Sequence, residues 1–161
     1  MLRTVTLIAK GPSAVHAEQF VAAEDAGSGG RSDVATVNDA GRFVQRSIDF
    51  AFFSDTMRPM AEHQQQIRRF VSPAKRYNWP RWYRPADHIT YADAACEGSR
   101  EAFLERIAAG GICHHHTTTG AMHWLAKVAC YDRIRIIGVD GGQSYANGSY
   151  VDQPLQQRLR E

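Results

Sequence analysis

Three times in the opening third of the chain, a short apolar run stops at small or polar residues and a stretch of helical character follows. Val5-Thr6-Leu7-Ile8-Ala9 is β-rich and apolar on both faces, as a strand buried inside a parallel sheet must be, and Gly11-Pro12-Ser13 breaks it. Pro12 suits the first position of a helix. Ala14, Val15, Ala17, Phe20, Val21 and Ala22 form its apolar face, and Gly27-Ser28-Gly29-Gly30 stops it. Val34 to Val37 ends at Asn38-Asp39, with Gly41 to Arg46 as a brief helix, and Phe50 to Phe53 ends at Ser54-Asp55. The alternation returns later. Ile89-Thr90-Tyr91 reads as a short strand, and Ser99 to Ala109 as a helix with Ser99 as N-cap and Gly110 as stop. Ile134 to Val139 is the clearest strand of all and ends at Asp140-Gly141-Gly142. This order predicts an α/β fold, a Rossmann-like three-layer α/β/α domain with a mostly parallel sheet. Residues 5–9, 34–37, 50–53 and 134–139 are expected as neighbouring parallel strands.

Length and composition keep the expectation to a single domain over 1–161. With 161 residues, 43% hydrophobic and 22% charged, the chain can bury a core without help from disulfides or a metal. Nineteen basic against seventeen acidic side chains give +2, too near neutral for charge alone to imply a nucleic-acid partner. Cys96, Cys113 and Cys130 lack CxxC spacing and read as buried small hydrophobes in a reducing compartment. No apolar stretch approaches the roughly 20 residues of a membrane span. The run before Lys10-Gly11-Pro12-Ser13 leads to no signal-peptide cleavage site. A cytoplasmic protein with no membrane partner is expected.

The segment from Gln64 to Ala86 interrupts the pattern. It holds no acid, six bases (Arg68, Arg69, Lys75, Arg76, Arg81, Arg84) and five aromatics (Phe70, Tyr77, Trp79, Trp82, Tyr83). Pro73, Pro80 and Pro85 prevent a long helix. A long irregular loop is expected here. Its rings and cations suit stacking on a base or sugar, or single-stranded nucleic acid. They equally suit a loop packed on the core with its arginines solvated.

In an open parallel sheet, ligands bind beyond the carboxyl ends of the strands, near the switch in strand order. Gly11-Pro12-Ser13, Asn38-Asp39, Ser54-Asp55, Thr117 to Gly120 and Asp140-Gly141-Gly142 all lie past predicted strands or at helix starts. The sheet would gather them into one crevice. Free N–H groups at a helix start suit a phosphate, Thr117 to Thr119 add hydroxyls, and Gly11 and Gly120 admit a close backbone approach. Alternatively each Ser or Thr is simply an N-cap. Neither GxGxxG nor GxxxxGK[ST] occurs, so no dinucleotide fingerprint or P-loop supports a particular nucleotide, and no cofactor or metal ligand set is indicated.

These residues also resemble a family. Thr119-Gly120 with an apolar helix, then Arg133 to Asp140, then Tyr145-Ala146-Asn147-Gly148-Ser149-Tyr150 look like the bacterial CMP-sialic-acid-dependent sialyltransferases. So do Lys10-Gly11-Pro12-Ser13, Val37-Asn38-Asp39 and Phe52-Phe53-Ser54-Asp55 at the front. Similar blocks occur in short phage-encoded sialyltransferase-like proteins and in the archaeal pterin diphosphokinases. The resemblance covers about two-thirds of the chain in pieces. It implies that Ser13 and Asn38 contact a nucleotide and that Asp55 lies near its ribose. It also implies that Thr118 and Thr119 face sugar or phosphate, and that Tyr145 and Tyr150 donate to the phosphate. Asp55 stands where that family usually has Asn. The family's general-base histidine comes from sequence beyond Glu161.

His114-His115-His116 is the candidate replacement, because an imidazole titrates near working pH. In an extended segment His114 and His116 share one side and His115 takes the other, so His116 and His114 are the expected catalytic pair. A polar strand end with one core histidine, or a metal site with His123 or Cys113, are the alternatives. The sequence therefore predicts a compact glycosyltransferase-like protein binding a nucleotide or nucleotide-sugar at Gly11, Ser13, Asn38, Asp55, Thr118, Thr119, Gly120, Asp140, Tyr145 and Tyr150. The other readings are a non-catalytic nucleotide-binding module and single-stranded nucleic-acid binding through the basic-aromatic segment.

Overall fold

A computed structural model describes residues 2–54, 58–74, 79–94, 99–113 and 116–140. The strands are β1 (Thr4–Ile8), β2 (Asp33–Val37), β3 (Phe50–Phe52), β4 (Phe70–Pro73), β5 (His88–Tyr91), β6 (Asp93–Ala94), β7 (Ile112–Cys113) and β8 (Arg133–Ile137). The α-helices are α1 (Ala17–Ser28), α2 (Arg100–Ala108) and α3 (Thr117–Lys127). Six strands form one sheet in the order β5-β4-β3-β2-β1-β8, and every pairing in it is parallel. The four expected neighbours stand together as β8-β1-β2-β3, with Thr6 opposite Val34 and Arg135. β6 and β7 pair separately, also in parallel.

Alternation along the strands divides the core into two layers. Ile8, Val34, Ala51 and Phe70 point to the face covered by Ala14, Ala17 and Val21, with Met60 and Ile67 beside them. Val5, Leu7, Ala35, Phe52 and Val71 point to the face covered by Ala121, Trp124 and Leu125 of α3. Trp124 meets the rings of Phe50 and Phe52 at 5.2 and 5.6 Å, within the range of favourable aromatic pairing. The result is a Rossmann-like α/β fold, with helices on both faces of a parallel sheet.

Local chemistry explains the element ends. Ser99 caps α2, its side chain accepting from the Ala102 N–H at 3.2 Å, and Gly110 leaves that helix at φ +94. Gly29 ends α1 at φ +69, a conformation that costs a residue with a β-carbon roughly 1–2 kcal/mol. The first helical segment opens as a 3-10 turn over Pro12–His16 before α1 begins at Ala17. The expected brief helix at Gly41 to Arg46 is instead a 3-10 turn over Asn38–Phe43. Asn38 enters it at φ +53, which lets the chain turn directly off β2.

The basic-aromatic segment is the main correction to the expected architecture. It is not a continuous irregular loop, because Phe70–Pro73 runs through the sheet between β3 and β5 and is buried at every position. Pro73 takes the last place in that strand, where a missing N–H removes little of the ladder. Val139 lies past the end of β8 and is exposed. Cys113 is half-buried and Cys130 exposed, so neither is the buried small hydrophobe expected.

Candidate nucleotide site at the strand carboxyl ends

The strand order reverses between β1 and β8, the place where a parallel sheet usually leaves a crevice. Here backbone closes it. The Gly11 N–H donates to the Gly138 carbonyl at 2.7 Å, and a β-carbon on Gly11 would lie 2.6 Å from that oxygen. The Gly138 N–H donates to Ser13 Oγ at 3.0 Å. The Ser13 N–H donates to Asp140 Oδ2 at 2.8 Å. Hydrogen bonds from Ser13, side chain first and backbone second, hold the Asp140 carboxyl below the usual carboxylate range. The negative group at the start of the 12–16 turn is thus the chain's own. Gly11, Ser13 and Asp140 come together as expected, but as a clasp between two strand ends.

The next strand end is richer in charge. Asn38 is half-buried, and Asp39 beside it is buried with only 8% exposure. Lys10 Nζ lies 3.7 Å from Asp39 Oδ1 and Arg42 Nε 3.8 Å from Oδ2. Arg42 reaches Glu62 at 3.1 Å. Behind them His63 is buried to 4% exposure, and neither of its ring nitrogens has a hydrogen-bond partner. Burial holds its pKa below the ordinary value, opposed by the nearby Asp39 charge. A β-carbon on Gly41 would sit 2.4 Å from the His63 ring, so glycine is what lets the turn after β2 lie on the imidazole. Sequence reasoning reaches Asn38-Asp39 but not the grouping with Lys10, Arg42 and His63, which lie on three separate segments. A lysine directly after an apolar strand was the available signal.

The amino end of α3 completes the edge. Thr117 Oγ1 and Ser54 Oγ are 2.8 Å apart, which brings the helix start to the end of β3. Thr118 is half-buried, Thr119 exposed and Gly120 buried. The first intrahelical bond runs from the Gly120 N–H to the His116 carbonyl at 2.9 Å, so the amides of 117–119 belong to the helix's unpaired first turn. His116 is the extended N-cap residue and is exposed. His123 accepts from the Cys113 N–H at 2.8 Å through Nδ1, tying α3 to β7. Asp55, His114, His115, Tyr145 and Tyr150 lie outside the described residues.

The described aromatics of the 64–86 segment pack against one another in pairs. Trp79 stacks on Tyr83 at 4.1 Å with rings 9° apart, and Trp82 packs on Phe70 at 5.9 Å. Arg68, Arg69 and Arg84 turn to the opposite, amino-terminal edge of the sheet, where a groove of about 640 Å³ is lined by them with Arg3, Asp49 and Tyr131 among others. Each of the three in this segment has a carboxylate: Arg68 with Asp49 at 3.2 Å, Arg69 with Asp87 at 3.2 Å and Arg84 with Asp87 at 3.1 Å. Arg84 also donates to the Ile67 carbonyl at 2.6 Å. Those three arginines are paired with carboxylates, and the strand-end chemistry lies at the other edge.

Among the described residues, no group of three or more His, Cys, Asp or Glu side chains is placed to hold a metal ion. No helix there is long and apolar enough to cross a membrane. The molecule is a Rossmann-like α/β domain with its polar strand-end segments gathered on one edge. Compared with protein-family models, curated proteins and solved structures, the chain gives no match.

Proposed function

We propose that this is a compact glycosyltransferase-like protein that binds a nucleotide or nucleotide-sugar across the carboxyl ends of β1, β2 and β3. The observation that carries the reading is the Ser54–Thr117 contact at 2.8 Å. It sets the unpaired first-turn amides of α3, with the Thr118 and Thr119 hydroxyls, at the edge that also carries Lys10 and Arg42. Amides at a helix start and a nearby cation suit a phosphate. In transfer, a histidine takes the proton of the acceptor hydroxyl and the acceptor oxygen bonds to the sugar's anomeric carbon. The bond from that carbon to the phosphate oxygen breaks, and the phosphate keeps the electron pair. Donors already aimed at the phosphate stabilise the charge that develops there. His116, exposed at the N-cap of α3, is the base in this scheme, with His114 as the second candidate.

Thermal shift with a panel of nucleotides and nucleotide-sugars tests binding, since a ligand specific to the folded state raises the melting temperature. Thr118→Val should weaken the best ligand by about 10- to 100-fold, the range for losing a hydrogen bond to a charged group. His116→Ala should lower turnover roughly 10²–10⁴-fold with binding nearly intact. A wild-type protein that binds but neither transfers nor hydrolyses the donor is a nucleotide-binding module. No shift with any nucleotide refutes the reading.

A further inference from the structure

We propose that the groove at the amino-terminal edge of the sheet is a second binding site, and that its ligand is a small phosphorylated, hydroxylated molecule of the sugar-phosphate class. The groove lies opposite the strand ends read above as the nucleotide site, and the inference stands independently of that reading.

The place of the groove follows from the topology. Arg3 precedes β1, Asp33 opens β2, Phe50 opens β3, Arg69 precedes β4 and Asp87 precedes β5, so parallel pairing brings these strand starts to one edge. The lining carries four guanidiniums, those of Arg3, Arg68, Arg69 and Arg84, against three carboxylates, those of Asp33, Asp49 and Asp87. The cations stand outward and the acids are recessed. The side chains of Arg68, Arg69 and Arg84 are 62%, 50% and 40% exposed, those of Asp49 and Asp87 only 11% and 26%. Arg3 is exposed, whereas Asp33 is half-buried. An entering ligand meets positive charge first.

These guanidiniums are held in place with donors to spare. Arg69 approaches Asp87 Oδ1 at 3.2 Å and Arg84 approaches Oδ2 at 3.1 Å, so two cations divide one anion. Arg84 is pinned further by the Gln64 and Ile67 carbonyls at 3.2 and 2.6 Å. Arg3 has no carboxylate within ion-pair distance of its guanidinium among the described residues. It donates to the Ala129 carbonyl at 2.7 Å and lies 4.6 Å from the centre of the Tyr131 ring. A guanidinium carries several N–H donors in a rigid fork, and these bonds use only part of them. A carboxylate ligand would repeat what Asp87 already does. A phosphate monoester brings about two charges and three acceptor oxygens, enough to take donors from more than one guanidinium, in bonds that are short and strong. The cavity sets the size, since about 640 Å³ suits a single small molecule. Ser47 and Gln65 in the same lining offer hydrogen-bond partners to the hydroxyls of its carbon body.

The test is calorimetric titration of the full chain with glucose 6-phosphate, fructose 6-phosphate and ribose 5-phosphate, set against glucose, inorganic phosphate and a single-stranded oligonucleotide. At least one ester should bind about 10-fold or more tighter than glucose and than inorganic phosphate, the effect of one hydrogen bond to a charged group. Arg69→Gln should weaken that ester roughly 10- to 100-fold, and Arg3→Gln, a second variant that serves if the first fails to fold, should weaken it in the same direction. Binding of none of the three esters overturns the proposal. Equal affinity for inorganic phosphate and the esters means that only the anion is held, and overturns the ligand class. Tighter binding of the oligonucleotide than of any ester makes this edge a nucleic-acid contact and overturns it as well. Ester binding that survives undiminished in the folded variants lies elsewhere on the molecule, and the groove loses its role.

Discussion

Replacing Gly138 by alanine tests the closure between β1 and β8, on which the placement of the whole edge depends. Two costs add. Gly138 has φ +81, where a β-carbon costs roughly 1–2 kcal/mol. That carbon would also lie 2.4 Å from the Ala9 carbonyl oxygen and 2.7 Å from its carbon. These are backbone atoms that cannot swing aside as a flexible side chain can. Overpacking of this kind costs about 1–3 kcal/mol. The sum, about 2–5 kcal/mol, is a large part of the stability of an ordinary domain, roughly 5–15 kcal/mol. For a chain of this size each kcal/mol shifts the melting temperature by about 2–4 °C. Gly138→Ala should therefore melt about 4–20 °C lower, with a matching fall in the urea midpoint and little change in its slope. Gly27→Ala is the control. It lies within α1 with nothing within 4 Å of a new β-carbon, and should stabilise by about 0.5–1 kcal/mol. A loss below about 0.5 kcal/mol in Gly138→Ala, within the range of unremarkable surface substitutions, would refute the close approach of the two strand ends.

Asp25 gives a pH prediction of defined sign. Burial alone would raise its pKa, but the Ser32 N–H at 2.6 Å, Arg46 at 2.6 Å and Ser32 Oγ at 2.8 Å outweigh it and hold the carboxyl below its usual value. Stability from this lowered pKa is present above the unfolded value near pH 3.8 and is lost as pH falls through the folded pKa. Asp25→Asn should cost about 1–3 kcal/mol at pH 7, and urea titration should show the difference shrinking in acid. His63 is a base whose folded pKa is lowered, chiefly by burial. Its contribution is full above the unfolded value of 6.5 and falls as pH drops below it. His63→Leu should be nearly neutral at pH 8, more stable than wild type at pH 5, and flatter in a stability–pH profile. Trp124→Ala, which empties the space against Phe50 and Phe52, should cost about 3–5 kcal/mol in the same denaturation assay. A smaller loss would mean that α3 does not pack there.

By itself, the sequence determined where most strands lie, that four of them are parallel neighbours and the edge on which they end. A strand buried on both faces has to be a short, almost wholly apolar run, and Val5 to Ala9, Val34 to Val37 and Phe50 to Phe53 announce this locally. The cap and stop of α2 were legible for the same reason, since Ser99 and Gly110 act within a few residues of themselves. Tertiary structure decided the rest. β4 is concealed because only Phe70 and Val71 separate two arginines from Ser72-Pro73, too short a run to show a period. It is a strand because β3 and β5 supply its hydrogen bonds from either side. Asp140 meets Ser13 across 127 positions of chain, and Lys10, Asp39 and His63 come from separate segments. Periodicity records which way a residue faces within its own element. It does not record which distant charge will stand opposite, because long-range pairing is set by how the elements stack.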